Sequence, residues 1–264
     1  MSSPPVLFST AAFFGRPLEQ TFRMAAEAGF DGVEIMVTRD PASQDPGAMR
    51  RLADRHGLTI GALHAPCLLV TRTVWGTDPV GKIERSVSVA DDAGIPLVVV
   101  HPPYRWQRSY RRWLEDSLPR LGAASGITVA VENMFPVHVA GRPLTFHAGQ
   151  DLDALEGLPD LVLDTSHAAV ASHDLLAVRR RLNGRLRHVH LSDNAGRGWD
   201  SHLPPGEGVL PIDAFLDELA HDGYAGAVSL EVDLRRYLAD PQELARVMAA
   251  MRERCAGRLL PLAA

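Results

Sequence analysis

Lysine is nearly absent from this chain: Lys82 is the only one among 27 basic residues. It falls inside an expected helix, away from any strand end, which argues against Schiff-base chemistry, where a lysine amine must reach the reacting carbonyl. Cysteine is almost as scarce. With Cys67 and Cys255 alone, a disulfide framework of the secreted kind is excluded. No apolar run is long enough for a membrane span and no signal peptide opens the chain, so no membrane partner and a cytoplasmic location are expected. The turn after the first apolar run, FSTAAFFGRP, has no G-x-G-x-x-G, which argues against a dinucleotide-binding sheet. There is no excess of positive charge either. A net charge of −5 weighs against nucleic acid as a partner, since binding would rest on a local patch. No low-complexity linker and no repeat divides the sequence, so residues 1–264 are read as one domain.

What the chain does contain is an alternation of apolar runs and amphipathic segments. The runs are LFST (7–10), GVEIM (32–36), TIGALHAP (59–66), PLVVVHPP (96–103), ITVAVENM (127–134), LVLDTSH (161–167), RHVHLSD (187–193) and AVSLEVD (227–233). Segments such as DPGAMRRLADRHG, DPVGKIERSVSVADDAG, SYRRWLEDSLPRLGAASG and DPQELARVMAAMRERC lie between most of them. Several open on Asp-Pro, an N-cap followed by proline at the first helical position, and several close on glycine. Eight apolar strands, each leading to a helix, imply a parallel sheet covered on its outer face, and eight such units close into a (β/α)8 TIM barrel. Residues 135–150 lack a clear period and are expected to form a loop over the barrel mouth.

Polar residues crowd the C-terminal ends of these strands: His64, His101, Glu132, Asp164 with His167, His190 and Glu231. In a barrel those ends converge on one mouth, where such enzymes assemble their sites. The densest stretch is residues 187–211, RHVHLSDNAGRGWDSHLPPGEGVLP, in which His188, His190, Asp193, Asp200 and His202 ask for a metal, zinc, manganese or a related divalent ion. His188 lies two residues before His190, on the same face of the strand, and is read as a core histidine. The remaining histidines, His56, His138, His147, His173 and His221, fall on helices or loops and are read as carrying no site. Arg105, Arg108, Arg111 and Arg112, interleaved with Tyr104, Trp106, Tyr110 and Trp113, read as a solvated helix face over buried aromatics.

The motifs GFDGVEI, LHAP, VENM, LDTSH, HVHLSDN and the D-S-H of residues 200–202 followed by PPGEG resemble the xylose isomerase-like TIM barrels, a group of sugar isomerases and epimerases that also includes endonuclease IV. The resemblance runs from about the second strand to the eighth. In the epimerase branch it implies one divalent ion (Mn, Zn, Mg or Co) held by Glu132, Asp164, His190 and Glu231, with His167 contacting substrate. It also places Arg197, in the loop after the seventh strand, on a substrate oxygen. Trp199, which directly precedes Asp200, is a lid or substrate residue.

Proton transfer next to a carbonyl suits two carboxylates flanking one ion, with Glu132 and Glu231 as acid and base. The nuclease branch implies instead three zinc ions on His64, His101, Glu132, Asp164, His167, His190, Asp200, His202 and Glu231, acting on abasic DNA. Glu132 has no second glutamate six residues on, where the best-known keto-sugar epimerases carry one, so the range of sugars stays open. Two further readings stand: a metal-dependent dehydratase of a cyclic polyol or keto acid, and a barrel that only binds. A small sugar is the expected partner, and a homo-oligomer is left open.

Overall fold

The structure is a computed structural model that describes residues 3–139, 142–148 and 152–260. Eight parallel strands, β1 (Val6–Ser9), β2 (Gly32–Met36), β3 (Thr59–His64), β4 (Leu97–Val100), β5 (Thr128–Glu132), β8 (Leu161–Asp164), β9 (Leu186–Leu191) and β10 (Ala227–Leu230), close into a barrel, with β1 paired to both β2 and β10. All eight expected strands are present, so the TIM barrel reading holds. The helices cover its outside. Asp45, Asp78 and Asp240 cap α2 (Pro46–His56), α3 (Pro79–Ala93) and α9 (Pro241–Arg258), each accepting a backbone N–H of the first turn. No helix among the described residues is long and apolar enough to cross a membrane.

The expected helix over SYRRWLEDSLPRLGAASG is two helices, α4 (Arg108–Asp116) and α5 (Leu118–Ser125), broken at Ser117. Pro119 is the cause, because it has no N–H to give the Glu115 carbonyl four residues back, and it is accommodated instead in the first turn of α5. The run LVLDTSH also divides. β8 stops at Asp164, whose carboxylate accepts the His167 N–H at 2.7 Å and so starts α6 (Thr165–Val170). The expected loop over 135–150 contains an antiparallel hairpin, β6 (Val137–Val139) with β7 (Arg142–Leu144). Residues 140–141 and 149–151 and the side chain of His138 lie outside the described residues.

Side chains alternate across each strand, and this period places the site. Leu63, Val98, Val100, Val131, Leu163 and Val189 face outward into the helices. Ala62, Val99, Ala130 and Val162 pack together as a small apolar layer of their own. Two residues further along the same strands, on the same face, stand His64, His101, Glu132 and Asp164.

Candidate metal centre

His190 is the hub of the polar layer. Its Nδ1 lies 3.1 Å from Glu132 Oε1, 3.2 Å from Glu231 Oε2 and 3.9 Å from Asp164 Oδ2. The four residues come from adjacent strands, β5, β8, β9 and the end of β10, so Glu132 and Glu231 approach from opposite flanks of this arc. Glu132, Asp164 and His190 are almost fully buried. Glu132 Oε2, Asp164 Oδ2 and Glu231 Oε2 are buried and receive no well-aligned hydrogen bond. Buried carboxylate oxygens left in this state are costly without a cation.

The other ring nitrogen of His190 is committed. Glu34, fully buried in β2, reaches across the barrel so that its Oε1 takes Nε2 of His190 at 2.9 Å and its Oε2 takes Nε2 of His188 at 2.8 Å. With Nε2–H given to Glu34, a neutral His190 turns the lone pair of Nδ1 on three carboxylates. That crowd is stable only with a positive charge inside it, a proton or a metal ion. Accordingly, although burial opposes it, Glu34, Glu231 and Glu132 hold the His190 pKa well above its ordinary value. Groups bound 2.0–2.2 Å from one ion lie about 3–4 Å apart, which is the spacing seen around Nδ1. The donor set of three carboxylates and one imidazole fits a divalent ion of the zinc or manganese kind.

The carboxylates are not equivalent. Burial would raise Glu132, but His190, His101 and His64 outweigh it and hold that carboxyl well below the usual range. Burial wins at Asp164 and at Glu231 and pushes both up. His101, 3.0 Å from Glu132 Oε2, is pulled by burial down to about 4 and stays neutral.

A second group continues from the first. His167 donates Nδ1–H to the Asn133 carbonyl at 2.8 Å and sets Nε2 3.4 Å from Asp200 Oδ2. Asn133 also ties strand ends together, accepting the Asp164 N–H at 2.7 Å. Asp200 Oδ2 meets His202 Nε2 at 2.7 Å, which overcomes burial and pushes His202 up to about 10. His202 adopts a left-handed φ of +40°, a strained backbone for a residue with a side chain, held by its Nδ1 contacts to the Glu231 carbonyl and Ser192 Oγ. Thus His64, His101, His167, Asp200 and His202 do adjoin the four central residues. Besides the central set, His64–His101–Glu132 and Asp164–His167–His202 are each spaced to hold an ion.

Asp193 is not part of this centre. Its carboxylate accepts the N–H groups of Asn194, Gly206, Gly208 and Leu210 and so shapes the PPGEG loop. A Cβ on Gly208 would stand 2.3 Å from Asp193 Oδ1, which is why the loop carries glycine there. Asp193→Ala is expected to lower stability by on the order of 3 kcal/mol, read as a shift in the denaturation midpoint. A change within error would show the loop to be held otherwise.

Arg197 and Trp199 are exposed and lie against each other, guanidinium carbon 5.9 Å from the ring centroid. No hydrogen bond or ion pair joins their side chains to the carboxylates among the described residues.

Three residues carry more than the sequence reading gave them. Glu34 stands inside an apolar strand, and a lone charge at a barrel-facing position was the available signal. His147 lies over Tyr104, 4.1 Å between ring centroids, and donates Nδ1–H to the Pro102 carbonyl at 3.0 Å. Lys82 sits on a helix as expected but not away from a strand end: its four-carbon stem brings Nζ to the Pro66 carbonyl, two residues past β3. Of the aromatics after β4, Tyr110 is buried, whereas Trp106 is 65% exposed and stacks on Tyr104.

Two cavities flank the centre. One, of about 310 Å³, is lined by Phe13, Phe14, Arg16, His202 and Glu231. The other, of about 320 Å³, is lined by Cys67, Lys82, His101, Tyr104 and Trp106.

Comparison with known proteins bears on the family and the fold. An uncharacterized protein of Mycobacterium leprae is 40% identical over 244 residues, covering 85% of this chain and 87% of its own length. Fructoselysine 3-epimerase of Shigella flexneri is 24% identical over 258 residues, 87% of this chain and 90% of that one. Among solved structures, the IOLI protein with a bound zinc atom superposes with a TM-score of 0.73 at 16% identity, over 98% of this chain and all of that one. The family model for xylose isomerase-like TIM barrels matches residues 22–254, and the chain belongs to that family.

Proposed function

We propose that this protein is a divalent-metal-dependent isomerase or epimerase of a sugar or sugar phosphate. The reading is carried by one observation: three carboxylates from three strands converge on the single free nitrogen of a buried imidazole, with one oxygen of each left without a hydrogen bond. Glu132, Asp164, His190 and Glu231 would hold the ion. When bound, a divalent ion polarises carbonyl and hydroxyl oxygens and stabilises the negative charge that develops when a neighbouring C–H loses its proton.

The protein's own residues supply the proton transfers. Glu132, ionised, takes the proton from one flank, and Glu231, whose pKa burial raises, returns one from the other. His167 and His202, both held above their ordinary pKa and facing Asp200, would bind substrate hydroxyls at the rim. The sugar epimerase among the relatives supports the substrate class. The groups His64–His101–Glu132 and Asp164–His167–His202 favour a competing reading, a multi-zinc phosphodiesterase acting on abasic DNA.

The test is solvent exchange. Protein supplied with Mn²⁺ or Zn²⁺ and a panel of ketoses in D₂O should place deuterium on the carbon next to the carbonyl and accumulate the epimer or isomer. Absence of exchange across the panel, together with cleavage of an abasic duplex, would replace this reading by the nuclease.

Glu34 has a role here that needs no contact with substrate. Partners that orient a metal-binding histidine typically contribute 10- to 100-fold in metal affinity. Glu34→Gln is therefore expected to weaken metal binding by about that factor, measured by competition with a chelating dye. Unchanged affinity in the variant would remove Glu34 from the account.

A further inference from the structure

The cavity beside His101 contains a positive charge that proton transfer does not use. Lys82 is only 5% exposed. Its Nζ donates to the Pro66 carbonyl at 2.8 Å and the Thr71 carbonyl at 3.2 Å, and the third N–H of the ammonium finds no acceptor among the described residues. No carboxylate is paired with it there. The titratable side chain nearest in effect is Cys67, and burial pushes that thiol up to about 11, so it is neutral and supplies no counter-charge. Burial correspondingly pulls the lysine's own pKa down, as expected for a charge without a counter-ion. Arg72, exposed at the rim of the same cavity, has no carboxylate partner among the described residues either.

The rest of the cavity is shaped for a carbon chain. Tyr104 and Trp106 stack with ring centroids 4.8 Å apart and planes 2° apart, and Phe146 stands edge-on to Trp106. Tyr110 fixes the end of β4 by donating its hydroxyl to the His101 carbonyl at 2.7 Å. His101 belongs to both places, since its ring lines the cavity and its Nε2 lies 3.0 Å from Glu132 Oε2. The cavity therefore borders Lys82 on one side and, on the other, the His101 ring that touches Glu132.

We propose that this cavity is the distal subsite of the active centre and selects substrates bearing an anionic group, a carboxylate or a phosphate, which Lys82 and Arg72 hold while the carbon chain lies along Tyr104 and Trp106. The assignment of the reacting end rests on the isomerase reading above; anion binding at Lys82 does not. A buried ammonium with a spare N–H is the stronger donor of the two, and the rim guanidinium adds a second, more screened charge.

Inorganic phosphate and, separately, acetate are titrated calorimetrically into the protein supplied with metal and into the same protein after chelation. Saturable binding of one equivalent is expected in both states, weakened at least tenfold by Lys82→Met, weakened several-fold by Arg72→Ala and unchanged in Glu132→Gln. Preference for phosphate assigns a sugar phosphate, and preference for acetate a sugar acid. Binding that disappears on chelation or in Glu132→Gln puts the anion on the metal centre and overturns the proposal, as does the absence of binding by either ion. Unchanged affinity in Lys82→Met does the same. Should that buried substitution prevent folding, the exposed Arg72→Ala decides: unaltered affinity there overturns the proposal. Phosphate binding that depends on Lys82 without any deuterium exchange on sugars would sink the isomerase reading alone.

Discussion

Glu132→Gln and Glu231→Gln are each expected to lower turnover by about 10²- to 10⁴-fold, the usual contribution of a positioned general acid or base. Glutamine keeps the shape of the side chain and an oxygen for the ion, and removes the capacity to take or give a proton. The two substitutions should differ in kind. Glu132 sits among His190, His101 and His64, which hold it ionised, so its loss removes the group that abstracts. Glu231 is pushed up by burial and is reached from the other side of His190, so its loss removes the group that returns the proton. In a two-flank epimerisation each carboxyl serves one face of the carbon. Glu231→Gln should then still wash deuterium into one epimer while conversion to the other stops. Exchange followed by NMR in D₂O, with circular dichroism to show an intact barrel, makes the comparison. Rates like those of the unsubstituted protein in either variant would overturn the assignment, and equal loss of exchange into both epimers would reduce it to a single-base mechanism.

The division of labour between these carboxyls was only partly legible in the sequence. The barrel was legible because its strands are apolar throughout and its helices are punctuated by Asp-Pro and glycine, signals that act within a few residues. The gathering of His64, His101, Glu132, Asp164 and His190 at one mouth was legible for a related reason, since alternation puts residues at strand ends on the inner face; the choice of Glu132, Asp164, His190 and Glu231 among them came from the resemblance to the epimerases, not from the period. Glu34 was not legible, because its meaning lies across the barrel in two histidines more than 150 positions away. Asp193 misled for the converse reason. It stands in the densest ligand run of the chain, yet it is turned to the backbone of its own loop, and composition does not distinguish a carboxylate that binds N–H groups from one that binds an ion. Lys82 shows a third limit, since the reach of a long side chain carried it from a helix to a strand end that its position in the sequence did not indicate.

Removal of metal is expected to abolish turnover, and reconstituted protein is expected to hold one tightly bound divalent ion per chain. Around His190 Nδ1 three carboxyls meet one ring nitrogen, and the protons that the ring and the raised Asp164 and Glu231 hold are what a divalent ion displaces. Because the site is formed only when β5, β8, β9 and β10 are closed into the barrel, binding stabilises the fold by mass action, about 2.7 kcal/mol at a free metal concentration 100 times the dissociation constant. The melting temperature should therefore fall on chelation and recover on adding Mn²⁺ or Zn²⁺, and Asp164→Asn should blunt that recovery. The neighbouring groups compete for a second and third ion less well. His101 is neutral and lies against Glu132, a carboxylate already shared with the centre, while Asp200 is occupied by His202 and by Ser166 Oγ at 2.6 Å. Metal analysis by mass spectrometry under non-denaturing conditions counts the ions directly. One ion with sugar exchange sustains the isomerase; three zincs with cleavage of abasic DNA would make the same nine side chains a phosphodiesterase centre; and no bound ion at all, with exchange intact, would leave Glu132 and Glu231 to work without one.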